Sequence, residues 1–231
     1  MLEVSNPRWV MRQTWSHLLF AHWQVPNAVL RRMVPAELEL DLYDGSAWIG
    51  VVPFLMTGIR ARGLPLVPGL NRTLELNVRT YVRHGGHAGV YFFSLDAENR
   101  AIVRGARISY GLPYFHARML EEGGRYASVR THRGAPPAEF RADYRPDSPV
   151  FTSKPGSLEF FLTERYCLFT ALGGRVQRGD IYHQPWPLQV GRAEIAVNTM
   201  VDSLGMELRG SPLLHYAESL NVLLDRIRTA S

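Results

Sequence analysis

The chain has 231 residues, 26 Lys plus Arg against 21 Asp plus Glu, a net charge of +5, and 46% hydrophobic residues. That composition excludes a disordered chain and suits one β-rich domain of ordinary size. No apolar run is long enough for a membrane span, and residues 1–15 lack the apolar stretch of a secretory leader. The arginines are spread along the chain with acids between them, so neither nucleic acid nor a membrane is an expected partner.

Cys167 is the sole cysteine, which rules out an internal disulfide and points to a reducing cytoplasm. Lys154 is the sole lysine. A lysine amine can be made neutral and nucleophilic, whereas a guanidinium stays protonated. Imine chemistry is therefore confined to Lys154 or the N-terminal amine.

In chain order, the apolar stretch Trp15–Trp23 reads as a buried strand or a helix turn. Pro26 suits the first turn of a short helix that Pro35 ends. Two apolar runs, Leu38–Leu42 and Ala47–Met56, flank Asp44-Gly45, a hairpin signal. Ala61–Asn71 is a Gly- and Pro-rich loop. Over 74–83 the pattern alternates: Leu74, Leu76, Val78, Thr80 and Val82 on one face, Glu75, Asn77, Arg79, Tyr81 and Arg83 on the other. His84-Gly-Gly-His87 reads as a type I′ turn rather than a metal pair, and Val90–Leu95 as the returning buried strand.

Asp96 is the expected N-cap of a helix over 98–110, with Arg100, Arg104 and Arg107 on one face and Ile102, Val103 and Ala106 on the other. Gly111 and Pro113 stop it. Strands are expected at 114–120, 126–131 and 139–144, and a short helix at 157–163. Further strands follow at 166–172, 175–182, 188–197 and 213–226, the last stretches keeping some helix/strand ambiguity. The sum is a β-dominated α+β domain, and a sheet of so many strands curls into a barrel or splits into a sandwich.

Two clusters could carry chemistry. On the 74–83 strand, Glu75, Asn77, Arg79 and Tyr81 project together. In an open sheet they are a solvated face; in a closed barrel they line a lumen suited to a polar ligand. In the 114–120 strand, Tyr114, His116 and Arg118 alternate onto one face, where Tyr and His can bind an anion or move a proton. No phosphate-cradling glycine loop, nucleophile elbow or metal motif is present, so neither a cofactor nor a metal is expected. Cys167, in an apolar setting, reads as a buried inert thiol.

Over nearly its whole length the chain resembles the YqjF-like bacterial proteins, a family of unknown function. The matching stretches include HLLFAHW (17–23), DGSAWIGVVPF (44–54), RGLPLVPG (62–69), ELNVRTYV (75–82), YGLPYFHA (110–117) and LEFFLTERYCL (158–168). More distantly, residues 25–40 and RISYGLPYF (107–115) are similar to segments of the acetoacetate decarboxylase fold. That resemblance implies a single cone-shaped antiparallel β-barrel over 1–231, with its site in the funnel.

In those enzymes paired lysines follow the shared glycine and proline, the first forming a Schiff base. Here Tyr114 and Phe115 stand at those positions, and neither can form an imine. Glu75 matches a funnel-facing glutamate. The resemblance thus implies a funnel lined by Glu75, Tyr114 and His116 as candidate catalytic groups, with Asn77, Arg79, Tyr81 and Arg104 as candidate ligand-binding groups. The expected function is binding of a small anionic or carbonyl-bearing molecule without Schiff-base chemistry. The alternatives are a lyase or isomerase acting by general acid/base catalysis, or a non-catalytic scaffold; a homo-oligomer stays open.

Overall fold

The computed structural model describes residues 8–172 and 174–230. Residues 1–7, including the N-terminal amine and nearly half of the stretch searched for a leader, lie outside them. The strands are β1 (Met11–Val25), β2 (Glu39–Leu40), β3 (Ala47–Ala61), β4 (Arg72–His84), β5 (His87–Ala97), β6 (Tyr114–Glu122), β7 (Arg125–Arg130) and β8 (Glu139–Pro146). They continue with β9 (Cys167–Leu172), β10 (Arg175–His183), β11 (Leu188–Asn198), β12 (Leu213–Leu224) and β13 (Arg228–Thr229). Among the described residues, three α-helices interrupt them: α1 (Asn27–Met33), α2 (Arg100–Tyr110) and α3 (Leu158–Thr163).

Strand pairing closes on itself twice. One ring runs β5-β6-β7-β8-β11-β12-β1-β3-β4 and returns to β5. A second runs β5-β9-β10-β12-β1-β3-β4, closed by the short β10–β12 pairing of Ile181–His183 with residues 222–224. The sheet branches at β5, whose C-terminal half pairs with β6 and whose N-terminal half pairs with β9, both in parallel. Gly89 permits the second branch: a Cβ there would stand 2.6 Å from the Cys167 carbonyl oxygen and 2.7 Å from its Sγ.

Because β1, β3, β4, β5 and β12 belong to both rings, their two faces bury into different cores. Leu74, Leu76 and Val78 of β4 pack with Tyr126, Phe140 and Tyr144 inside the first ring. The opposite face of β4 points into the second ring, whose core contains Phe20, Phe54, Phe92, Trp186 and Leu220. From Glu75 to Tyr81 the polar face of β4 is therefore buried inside the ring, while Arg83 at its end is exposed.

Local signals locate most elements. Asp44 and Gly45 both have positive φ (47° and 76°), as do Gly85 and Gly86 (55° and 77°), the geometry of type I′ turns. Trp15–Trp23 lies wholly in β1, where a register break between Ser16 and Ala21 places His17 at φ 54°. The start of α2 differs from expectation. Its N-cap is Asn99, whose side chain accepts from the Ala101 and Ile102 amides, while Asp96 stays in β5, fully buried against Arg130. Gly111 ends α2 in the left-handed conformation at φ 61°.

Candidate functional site

Side chains two apart on a strand share a face, so Glu75, Asn77 and Arg79 line one wall of the second ring at intervals of about 7 Å along β4. They border a cavity of about 110 Å³ enclosed by strands of the second ring, with Tyr114 from the start of β6. That is room for a small molecule rather than a single water. Trp15, Phe20, Phe54, Phe92 and Leu168 supply apolar walls. Tyr110 and Leu112 bound it beside α2, and Thr163 and Arg165 beside α3.

Glu75 is 3% exposed and accepts a 2.7 Å hydrogen bond from the Tyr114 hydroxyl at Oε2. Burial raises its pKa to about 7; hydrogen bonds from Tyr114 and Asn77 pull the other way, and the Asp96 carboxylate adds a small further rise. The Tyr114 hydroxyl is held well above its ordinary value, first by burial and then by the Glu75 charge. A buried carboxyl with a pKa near 7, hydrogen-bonded to a tyrosine, can hold or release a proton near neutral pH, the condition for general acid/base work.

Arg79 is 8% exposed, and among the described residues no carboxylate lies within ion-pair distance of it. Its Nη2 donates to the Leu162 carbonyl of α3 at 3.2 Å, and its guanidinium lies 5.4 Å from the Phe20 ring centroid. Its Nε has no partner within the protein, and neither do Asn77 Oδ1 and Trp186 Nε1, which belong to the same cavity wall. Buried polar atoms are almost always paired, and three residues that line this one cavity each carry an unpaired one. The neighbouring Arg165 shows the alternative: its Nη1 is 2.6 Å from Asp41 Oδ2, and it stacks over Phe161 and Tyr81.

The structure brings Glu75, Asn77, Arg79 and Tyr114 together. Tyr81 points into the same ring but sits behind the cavity, its hydroxyl 2.7 Å from His22 Nε2 and donating to the Leu162 carbonyl at 2.8 Å. Arg104 and His116 lie elsewhere. Glu75, Ala97 and His116 are in register across β4, β5 and β6 and so share a sheet face. Past the branch at β5, however, that face is the outside of the first ring, and α2 lies between. Val103 packs in the core with Tyr114, whereas Arg100 meets His116 on the outer side.

Sequence reasoning did not reach Trp186, Asp180 or His183, which border the cavity from the later chain. Each belongs to a locally ordinary strand or loop, and only ring closure aims it inward. Lys154 is exposed and borders no part of the cavity. Burial raises the Cys167 thiol to about 11, the behaviour of an inert core residue. Among the described residues no group of three His, Cys, Asp or Glu could hold a metal ion, and no helix is long and apolar enough to cross a membrane.

The doubly closed, β-dominated barrel with few helices and a polar-lined lumen is an acetoacetate decarboxylase-like fold. The enduracididine biosynthesis enzyme MppR in complex with pyruvate superposes with a TM-score of 0.69 at 14% identity, over 100% of this chain and 93% of that one. Acetoacetate decarboxylase from Legionella pneumophila gives 0.63 at 12% identity, over 100% and 93%. At such identities the likeness concerns fold alone. Within that fold class the chain belongs to the DUF2071 family, described as an uncharacterized conserved protein, which matches residues 12–221. It is 48% identical to the uncharacterized protein YqjF of Bacillus subtilis (strain 168), over 98% of this chain and 95% of that protein.

Proposed function

We propose that this protein binds a small carboxylate carrying a carbonyl group in the cavity of the second ring, and does so without forming an imine. The observation that carries this reading is Arg79, a buried guanidinium with no carboxylate partner among the described residues, beside a cavity of about 110 Å³. A ligand carboxylate beside the Arg79 guanidinium would supply the missing charge. The remainder of the ligand would extend toward Glu75 and Tyr114, where a protonated carboxyl can donate to a carbonyl oxygen. No lysine borders the cavity, and Tyr114 stands where the resemblance to decarboxylases implies a Schiff-base lysine.

Pyruvate, the ligand named for the MppR complex, is a fitting probe. Calorimetric titration should show saturable binding to the wild type and at least about a tenfold loss in Arg79→Ala with the fold intact. Unchanged affinity would remove Arg79 from the site.

A second reading, lyase or isomerase chemistry beside the carbonyl, draws on the Glu75 pKa near 7 and the Tyr114 hydrogen bond. Glu75 would take or give the proton, with Tyr114 as proton donor or stabiliser of the developing oxyanion. Its test is turnover across a panel of keto and hydroxy acids, with a pH–rate limb near 7 that Glu75→Gln removes. No turnover anywhere on the panel would count against it. The scaffold reading, in which aromatic side chains pack the lumen shut, is disfavoured by the cavity itself.

A further inference from the structure

The outer side of α2 holds a second concentration of unpaired positive charge, separated from the cavity by the helix and the start of β6. Arg100, Arg104 and Arg107 fall at four- and three-residue spacing and share one helical face. Arg133, His116 and His132 face them across a groove of about 470 Å³ that no Asp or Glu lines. None of these four guanidiniums has a carboxylate within ion-pair distance among the described residues. Several other arginines do sit against an acid, as in Arg72–Glu98, Arg125–Asp143 and Arg192–Asp147.

The groove is also held in shape. Arg107 Nη1 donates to the Tyr114 carbonyl at 2.7 Å, which anchors one wall. His116 Nδ1 is 2.8 Å from Thr131 Oγ1, and its Nε2 is 3.4 Å from Arg100 Nε. The His116 backbone amide donates to His132 Nδ1 at 3.1 Å, so neutral His132 carries its proton on Nε2, a donor free of that bond. Burial lowers the His116 pKa, and the charges of Arg100 and His132 lower it further. Crowding like charges is costly unless an anion joins them.

We propose that this groove binds a small phosphorylated molecule by its phosphate or diphosphate group, with Arg100, Arg104 and Arg133 as charge partners and His132 as a donor. A phosphate offers about two negative charges and three acceptor oxygens, matched to several guanidinium forks where one carboxylate would satisfy only one. Ile108, 74% exposed at the edge of the groove, gives an apolar shoulder for the rest of the ligand. A groove of about 470 Å³ suits a compact ligand rather than a nucleic-acid strand.

The test is calorimetric titration of the full chain with inorganic pyrophosphate at low ionic strength, in wild type, Arg104→Glu/Arg133→Glu and Arg79→Ala. Saturable one-to-one binding is expected, weakened at least about tenfold by the double charge reversal and unchanged by Arg79→Ala. In the same samples, the proton NMR titration of His116 should move to higher pH when pyrophosphate is bound. Absence of saturable binding, or equal affinity in the charge-reversed protein, overturns the proposal. So does an oligonucleotide that binds the same arginines more tightly than pyrophosphate, or a His116 midpoint that pyrophosphate leaves in place.

Discussion

Two buried acids lie near one another on β5 and β4, and the protein treats them in opposite ways. Asp96 is 0% exposed and meets Arg130 at 2.6 Å, with the guanidinium capping the Phe115 ring at 4.3 Å. Its charge is answered within the fold. Glu75 is equally buried but faces a tyrosine hydroxyl, while Arg79, which could answer it, sits two alternations along the strand with no carboxylate partner. A closed pair of this kind holds strands together, whereas a separated, incompletely satisfied acid and base beside a cavity cost stability and suit a ligand.

The largest effect should come from breaking the closed pair. Arg130→Ala leaves Asp96 uncompensated in the core and should cost about 3–5 kcal/mol in urea unfolding. A loss under about 1 kcal/mol would make the two acids alike.

The Glu75 effect depends on pH. Between its ordinary value of 4.5 and about 7 in the fold, the native state holds a proton that the unfolded chain has released. Stability should therefore fall as pH rises through that window, by about 3 kcal/mol once both states are ionised. Glu75→Gln should flatten this slope; an unchanged slope would place the titration elsewhere.

Tyr114→Phe should cost about 1–2 kcal/mol for the lost hydrogen bond and push the Glu75 midpoint still higher, since that bond favours the carboxylate. A downward midpoint shift would contradict the assigned donor. Smallest of all, Arg79→Met should change stability by no more than about 1 kcal/mol, because no ion pair is broken. A loss as large as that of Arg130→Ala would show that Arg79 is a structural residue.

Much of the fold was legible because short-range chemistry fixes it. The Asp44-Gly45 and Gly85-Gly86 turns, the α2 arginine face and the alternation of β4 all follow from residue type and spacing. The destination of the β4 polar face did not: alternation says that Glu75, Asn77 and Arg79 travel together, while only the β10–β12 closure decides that they meet a lumen. The same limit separated His116 from Tyr114. The two alternate onto one sheet face, but the branch at β5 and the placement of α2 turn that face into an inside and an outside. The α2 cap moved from Asp96 to Asn99 because Arg130, thirty-four residues away, claims the aspartate. Trp186 gave no local signal at all.

The claim that Arg79 waits for a ligand carboxylate is tested most directly by a crystal structure of the protein saturated with a small keto acid. The expected density places the carboxylate against the Arg79 guanidinium, with the carbonyl end toward Glu75 and Tyr114. A cavity empty of keto acid at saturation, with the Arg79 guanidinium turned onto a carboxylate of the protein itself, would contradict it.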